Sequence, residues 1–257
     1  MLKQIVYEAF LRRWAVSHYQ YSFLLKGSFL TRQYFYQRIP NDLDFVYLTH
    51  CDTDQIQSTV CAFLQTVTKI DVYDGVVFED INQDDFWWNP EYEMADDFPT
   101  VTYYIKAKFN NELVTLAIDI SFNLNLIDAP VAIDYKPYEG KPFTIVQSAS
   151  VALQVAWKLH QTLVNPRNKD ILDLTHLLTY IQTQQQHNLV WQTLEDECLR
   201  DNIDLDKNKL LFCEAKNVLA KTWHEVSLPV HPSYKLPKNF DMFWYKFSQA
   251  LIFSNLI

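Results

Sequence analysis

Apolar residues at helical spacing open the chain. Leu2, Ile5, Val6, Ala9, Phe10 and Val16 predict an amphipathic helix over residues 2–18, with Arg13 inside its apolar stripe. The period then switches. Residues 21–26 and 42–48 predict strands, and 28–37 between them a helix. Asp52 or Thr53 is placed to cap a helix running to about Lys69, and 71–80 reads as a strand around Val76-Val77-Phe78. Residues 82–99 mix acids and aromatics without period and read as an irregular surface excursion. Residues 100–109 and 113–122 alternate around Asn110-Asn111, which predicts a β-hairpin.

Pro130, Pro137, Gly140 and Pro142 then break the pattern, and the chain beyond them turns helical. Ser148 or Ser150 starts a helix through Val164, and a second runs from about Asn168 to Gln184. Residues 190–201, 207–224 and 240–254 add three more, with Gln182 to Gln186 as a polar loop edge and Pro229, Pro232 and Pro237 as a connector. The expectation is an α+β fold with a domain over 1–140 and a helical domain over 141–257.

Composition narrows the class. The 257 residues are enough for a real core, and the three glycines exclude a glycine-rich P-loop or dinucleotide cradle. A net charge of −9 argues against a protein that coats nucleic acid without specificity. The four cysteines show no C-x-x-C spacing, and Lys3, Glu8, Arg12 and Arg13 interrupt the N-terminal apolar pattern. No apolar run has a membrane-spanning length. These features predict a cytoplasmic protein with reduced thiols and no membrane partner.

The candidate chemistry lies between residues 23 and 47, in FLLKGSFLTRQYFYQRIPNDLDFVY. On a strand Asp42 and Asp44 point the same way, and two adjacent carboxylates repel unless a cation sits between them. An oxygen-only ligand set suits magnesium. Gly27-Ser28 supplies a bend whose backbone N–H groups and hydroxyl suit a phosphate. Asp119 falls between Ile118 and Ile120 in an apolar strand, so it must face water, be paired or ligate a metal. Beside an Asp-x-Asp pair the metal reading is preferred. His160 and His176 lack ligand spacing and read as structural.

Gly-Ser after a strand, a spacer, Asp-apolar-Asp and a later Ile118-Asp119-Ile120 together resemble the signature of the polymerase-β-type nucleotidyltransferase superfamily. Two stretches carry a narrower resemblance, to the nucleotidyltransferase toxins of the AbiEii/AbiGii type. In KGSFLTRQYFYQRIPNDLDF the matching residues are Lys26, Gly27, Ser28, Arg38, Asp42, Asp44 and Phe45. In QVAWKLHQTLVNPRNKDILDLTHLL they are Lys158, Leu159, Arg167, Lys169, Asp170, Asp173 and Leu174. Gln161 and Trp157 depart from that pattern, standing where a small residue and an acid are usual.

This resemblance implies a polymerase-β-like mixed sheet with helices, followed by a C-terminal helical domain that completes the active-site cleft. It implies nucleotidyl transfer from a nucleoside triphosphate. Asp42, Asp44 and Asp119 would hold two Mg2+ ions, and Lys26, Gly27, Ser28 and Lys158 would bind the nucleotide. Asp170 or Asp173 would orient Lys158 or act at the acceptor, a choice the sequence leaves open. The implied acceptor is RNA, in particular tRNA, and the implied partner is a separately encoded antitoxin. The alternatives are a small-molecule or protein acceptor, or a noncatalytic binding relative. The last is disfavoured because Ser28, Asp42, Asp44, Asp119 and Lys158 are all present. An RNA acceptor further predicts a basic strip drawn from Arg12, Arg13, Arg32, Arg38, Lys106 and Lys108.

Overall fold

A computed structural model describes residues 1–82, 86–88, 99–206, 209–223 and 227–256. Most of the 82–99 excursion and both ends of the helix expected over 207–224 lie outside the described residues. The chain forms two compact units. Unit 1 comprises Met1–Gln33, Pro40–Leu126 and Pro130–Ala149; unit 2 comprises Tyr34–Ile39, Ile127–Ala129 and Ser150–Ile257.

Unit 1 is built on a mixed sheet of β1 (Phe23–Lys26), β2 (Leu43–Tyr47), β3 (Val77–Phe78), β4 (Phe86–Trp88), β5 (Thr100–Phe109), β6 (Glu112–Ser121), β7 (Val131–Tyr135) and β8 (Phe143–Ser148). The strand order is β3-β5-β6-β2-β1-β8-β7, with β4 paired to β5. β5 and β6 form the expected hairpin. Asn110 (φ 48°) and Asn111 (φ 63°) are both left-handed. That is the primed turn whose twist matches the flanking strands, and asparagine tolerates it. β2 runs antiparallel to β1 and parallel to β6.

Alternation gives this sheet two unlike faces. Phe23 and Phe45 point to the side covered by α1 (Leu2–Val16) and α3 (Thr53–Lys69). Phe63 of α3 stacks on Phe23 at 3.9 Å between ring centroids, and Trp14 of α1 meets Phe45 edge-on at 4.9 Å. Burying each such ring is worth about 1.5–3 kcal/mol. That preference holds the aromatic face inward, so Asp44 and Asp119 are turned to the opposite side.

Two charges inside the α1 stripe are paired. Arg13 forks onto Asp74 at 2.7 and 2.9 Å and donates to the Val76 carbonyl at 2.9 Å. Glu8 accepts from the Tyr138 amide at 2.8 Å and the Tyr135 hydroxyl at 3.1 Å, with Arg32 at 3.6 Å. Burial pushes the Glu8 carboxyl up to about 7, against the opposing pull of Tyr138, Arg32 and Tyr135. The folded state therefore holds a proton that the unfolded chain loses at its ordinary value of 4.5. The contribution of Glu8 to stability is greatest below pH 4.5 and is lost as pH rises to about 7. Glu8→Gln should flatten the melting temperature across that interval, removing a slope on the order of 3 kcal/mol in total. Thermal melts of both proteins across the range measure it.

Unit 2 is helical: α4 (Val151–Val164), α5 (Asn168–Leu177), α6 (Gln184–Arg200), α7 (Cys213–Thr222) and α8 (Phe240–Phe253) surround one apolar cluster. The Ser150 hydroxyl caps α4 by accepting from the Leu153 amide at 3.2 Å. No described helix is long and apolar enough to cross a membrane.

Several expectations change, among them the helix expected from Asn168 to Gln184, which ends at Leu177. The division falls at Ala149/Ser150, not at residue 140, because Pro137, Gly140 and Pro142 lie in the turn between two paired strands, β7 and β8. The glutamine tract is not a loop edge: Thr183 and Gln186 form a reciprocal capping box that starts α6. The strand expected over 71–80 shrinks to Val77–Phe78, since Tyr73 (φ 56°) and Gly75 (φ 78°) turn the chain before it. The helix expected over 28–37 is the short α2 (Gly27–Thr31). Beyond it Phe35 belongs to unit 2, where its ring stacks on His176 at 3.7 Å.

Candidate active site

Strand register assembles the polar face of unit 1. Lys26 on β1 is opposite Asp44 on β2, Asp44 is opposite Asp119 on β6, and Asp119 is opposite Thr102 on β5. Directly paired residues project to the same face, so these four side chains form one row across neighbouring strands about 4.8 Å apart. The Thr102 hydroxyl donates to Asp119 Oδ1 at 2.5 Å. Lys26 Nζ donates to the Ser121 hydroxyl at 3.0 Å, two residues beyond Asp119 on the same face.

Asp42 lies just before β2, where the Ser28 hydroxyl donates to its Oδ1 at 3.1 Å. The buried Tyr7 hydroxyl senses all three carboxylates. Burial chiefly raises its pKa, the Ala117 amide opposes that, and Asp42, Asp119 and Asp44 each raise it further. Gly27 completes the notch. Its φ is +70°, and a Cβ there would fall 1.8 Å from Asp44 Oδ2. Only glycine offers both the backbone conformation and the space.

The three carboxylates supply hard oxygen donors, and the Cβ-free notch leaves Asp44 room against the backbone, so the residues fit a divalent cation of the magnesium type. Among the described residues no three His, Cys, Asp or Glu side chains stand close enough together to hold a metal ion. Asp44 and Asp119 share a face, and hydroxyl donors hold Asp42 and Asp119.

Unit 2 carries the second motif as a buried charge cluster. Lys158 Nζ donates to Asp173 Oδ2 at 2.8 Å and to Asp170 Oδ1 at 3.1 Å. Arg38 Nε takes the other oxygen of Asp173 at 2.8 Å, and Arg167 Nε the other oxygen of Asp170 at 2.6 Å. Burial alone would lower the Lys158 pKa; Asp173 and then Asp170 outweigh it and hold the amine charged. Burial alone would likewise raise the Asp170 carboxyl, which Lys158 and Arg167 bring below its ordinary value. Both acids therefore commit their oxygens to cations of unit 2.

The basic strip does not form as expected. Arg13, Arg32 and Arg38 are 2%, 2% and 4% exposed, respectively, each drawn inward by a carboxylate. Lys106 and Lys108 are exposed on β5. His160 and His176 are structural. His160 faces Asp201 at 2.9 Å, and His176 bonds the Tyr234 hydroxyl at 3.1 Å. Thr102, Ser121 and Tyr7 belong to no motif. One signal did point to Thr102: it and Asp119 lie equally far from the Asn110-Asn111 turn, so the hairpin register pairs them.

Comparison with known proteins adds the family. A family model described as nucleotidyl transferase AbiEii toxin, type IV toxin–antitoxin system, matches residues 9–233. No curated protein sequence matches the chain. JHP933 from Helicobacter pylori shares the fold with a TM-score of 0.54 and 14% identity, over 98% of this chain and 90% of that one. MenT4, a nucleotidyltransferase toxin from Mycobacterium tuberculosis, gives 0.58 and 15% identity, over 100% of this chain and 84% of that one. At such identities the structural likeness speaks to fold alone.

Proposed function

Since the chain belongs to the AbiEii nucleotidyltransferase toxin family of type IV toxin–antitoxin systems, we propose that it transfers a nucleotidyl group from a nucleoside triphosphate to RNA, with tRNA as the acceptor, in a magnesium-dependent reaction. The observation that carries the metal reading is the row Lys26, Asp44, Asp119, Thr102, with Asp42 and the Gly27 notch beside it. Asp42, Asp44 and Asp119 would hold the metal. Bound there, magnesium would neutralise charge at the α-phosphate and lower the pKa of the attacking hydroxyl.

The remaining roles belong to the chain itself. Thr102 fixes the rotation of the Asp119 carboxylate, and Ser28 does the same for Asp42. Lys26 brings a positive charge to the row, where it offsets the acids and suits a phosphate oxygen. The Gly27-Ser28 backbone lies against the triphosphate. Lys158 is the cation that the second motif assigns to the nucleotide, and Asp170 and Asp173 orient it. The antitoxin is a separately encoded partner.

The test is incubation with each labelled nucleoside triphosphate, Mg2+ and total RNA. Label should enter the tRNA band for at least one nucleotide and disappear when a chelator removes the metal. Transfer that survives chelation refutes the metal role. Absence of label in RNA with all nucleotides refutes the RNA acceptor and moves the assignment to a small molecule or protein.

A further inference from the structure

Helix α1 reaches the carboxylate-bearing loop with two side chains. Gln4 Nε2 donates to the Pro40 carbonyl at 3.2 Å, and the Tyr7 hydroxyl donates to the Asn41 carbonyl at 2.5 Å. Gln4 and Tyr7 are three residues apart, hence on one helix face, and are 6% and 0% exposed. Both anchor points immediately precede Asp42.

The same Tyr7 hydroxyl accepts from the Ala117 amide at 2.9 Å. The β2–β6 ladder begins at Leu43 opposite Ile118, so Ala117 is the first β6 residue beyond it. The tyrosine oxygen sits where the next rung of that ladder would be. One atom thus joins the residue before Asp42 to the residue two before Asp119.

We propose that Tyr7 is a positioning residue for the carboxylate site: its hydroxyl sets the separation between the Asp42 loop and the Asp119 strand, and so the affinity of the site for a divalent cation. Tyr7 does not itself touch substrate or metal. The inference rests on the proposal that Asp42, Asp44 and Asp119 hold a metal. Simple packing makes a different prediction, because the ring contact with Phe29, at 5.1 Å between centroids, needs no hydroxyl. Phenylalanine would then serve as well as tyrosine.

The test is Mn2+ titration of the full chain by calorimetry, alongside the transfer assay at limiting and saturating divalent ion. Tyr7→Phe should raise the Mn2+ dissociation constant about 10-fold or more. Its transfer should fall at limiting divalent ion and recover at saturation. Gln4→Leu, which cuts only the Pro40 tie, should shift the constant in the same direction by less. Tyr135→Phe is the matched control, since its hydroxyl serves Glu8; it should leave Mn2+ binding unchanged. Tyr7→Phe binding within about twofold of the parent, or an equal shift in Tyr135→Phe, overturns the proposal. A parent protein that binds no Mn2+ strikes instead at the metal role of the carboxylates.

Discussion

Gly27→Ala should reduce nucleotidyl transfer at least 100-fold although it removes no carboxylate from the chain. An added Cβ would stand 1.8 Å from Asp44 Oδ2, 2.4 Å from its Cγ and 2.8 Å from its Cβ. Non-bonded atoms cannot approach so closely, so Asp44 or the β1–α2 turn must shift by an ångström or more. Misplacing a reacting geometry by about 1 Å can cost about 100-fold in rate. The variant also carries an alanine at φ +70°, which costs roughly 1–2 kcal/mol of stability wherever it occurs.

Gly75→Ala separates the two effects. Its φ is +78°, but its Cβ would meet only Phe109 Cε2, at 3.8 Å. Both variants should melt a few degrees lower, about 2–4 °C per kcal/mol in larger domains. Only Gly27→Ala should lose transfer. Asp44→Asn should match that loss with no backbone strain. Transfer by Gly27→Ala within about threefold of the parent would show that the carboxylate of Asp44 is not needed where it stands.

Much of this was legible in the chain. The alternation around Asn110-Asn111 specified a hairpin, since two asparagines at a two-residue turn accept the left-handed backbone it needs. Motif spacing named Asp42, Asp44 and Asp119, and the parallel β2–β6 pair sets Asp44 beside Asp119. Local signals misled where tertiary context decided. Pro137, Gly140 and Pro142 look the same in a linker and in a strand-to-strand turn; β7 pairing with β8 makes it the latter. Arg13, Arg32 and Arg38 look like surface cations until their carboxylates are known, because charge alone carries no burial information. Tyr7 was illegible for a further reason: its role depends on two backbone groups, and backbone leaves no trace in residue identity.

The cluster around Lys158 yields the second large effect, on stability, and it divides the two acids that the motif could not. Asp173 is wholly buried and bridges Arg38 to Lys158, with one oxygen on each. Asp173→Ala removes the carboxylate those two cations share, and breaking a buried ion pair from one side costs about 3–5 kcal/mol. Asp170→Ala should cost less, because its other partner, Arg167, has a side chain 43% exposed and can turn to water. Lys158→Met should behave differently again. Three cations share two carboxylates in this group, so removing Lys158 leaves Arg38 with Asp173 and Arg167 with Asp170. Stability should fall by less than in Asp173→Ala, because each buried carboxylate still keeps one cation. Transfer should nevertheless be lost. Urea unfolding and the transfer assay on the three variants test this pattern. That outcome would make Lys158 the group the cluster presents and the acids its supports. A Lys158→Met protein that keeps full transfer would reduce the whole cluster to packing within unit 2.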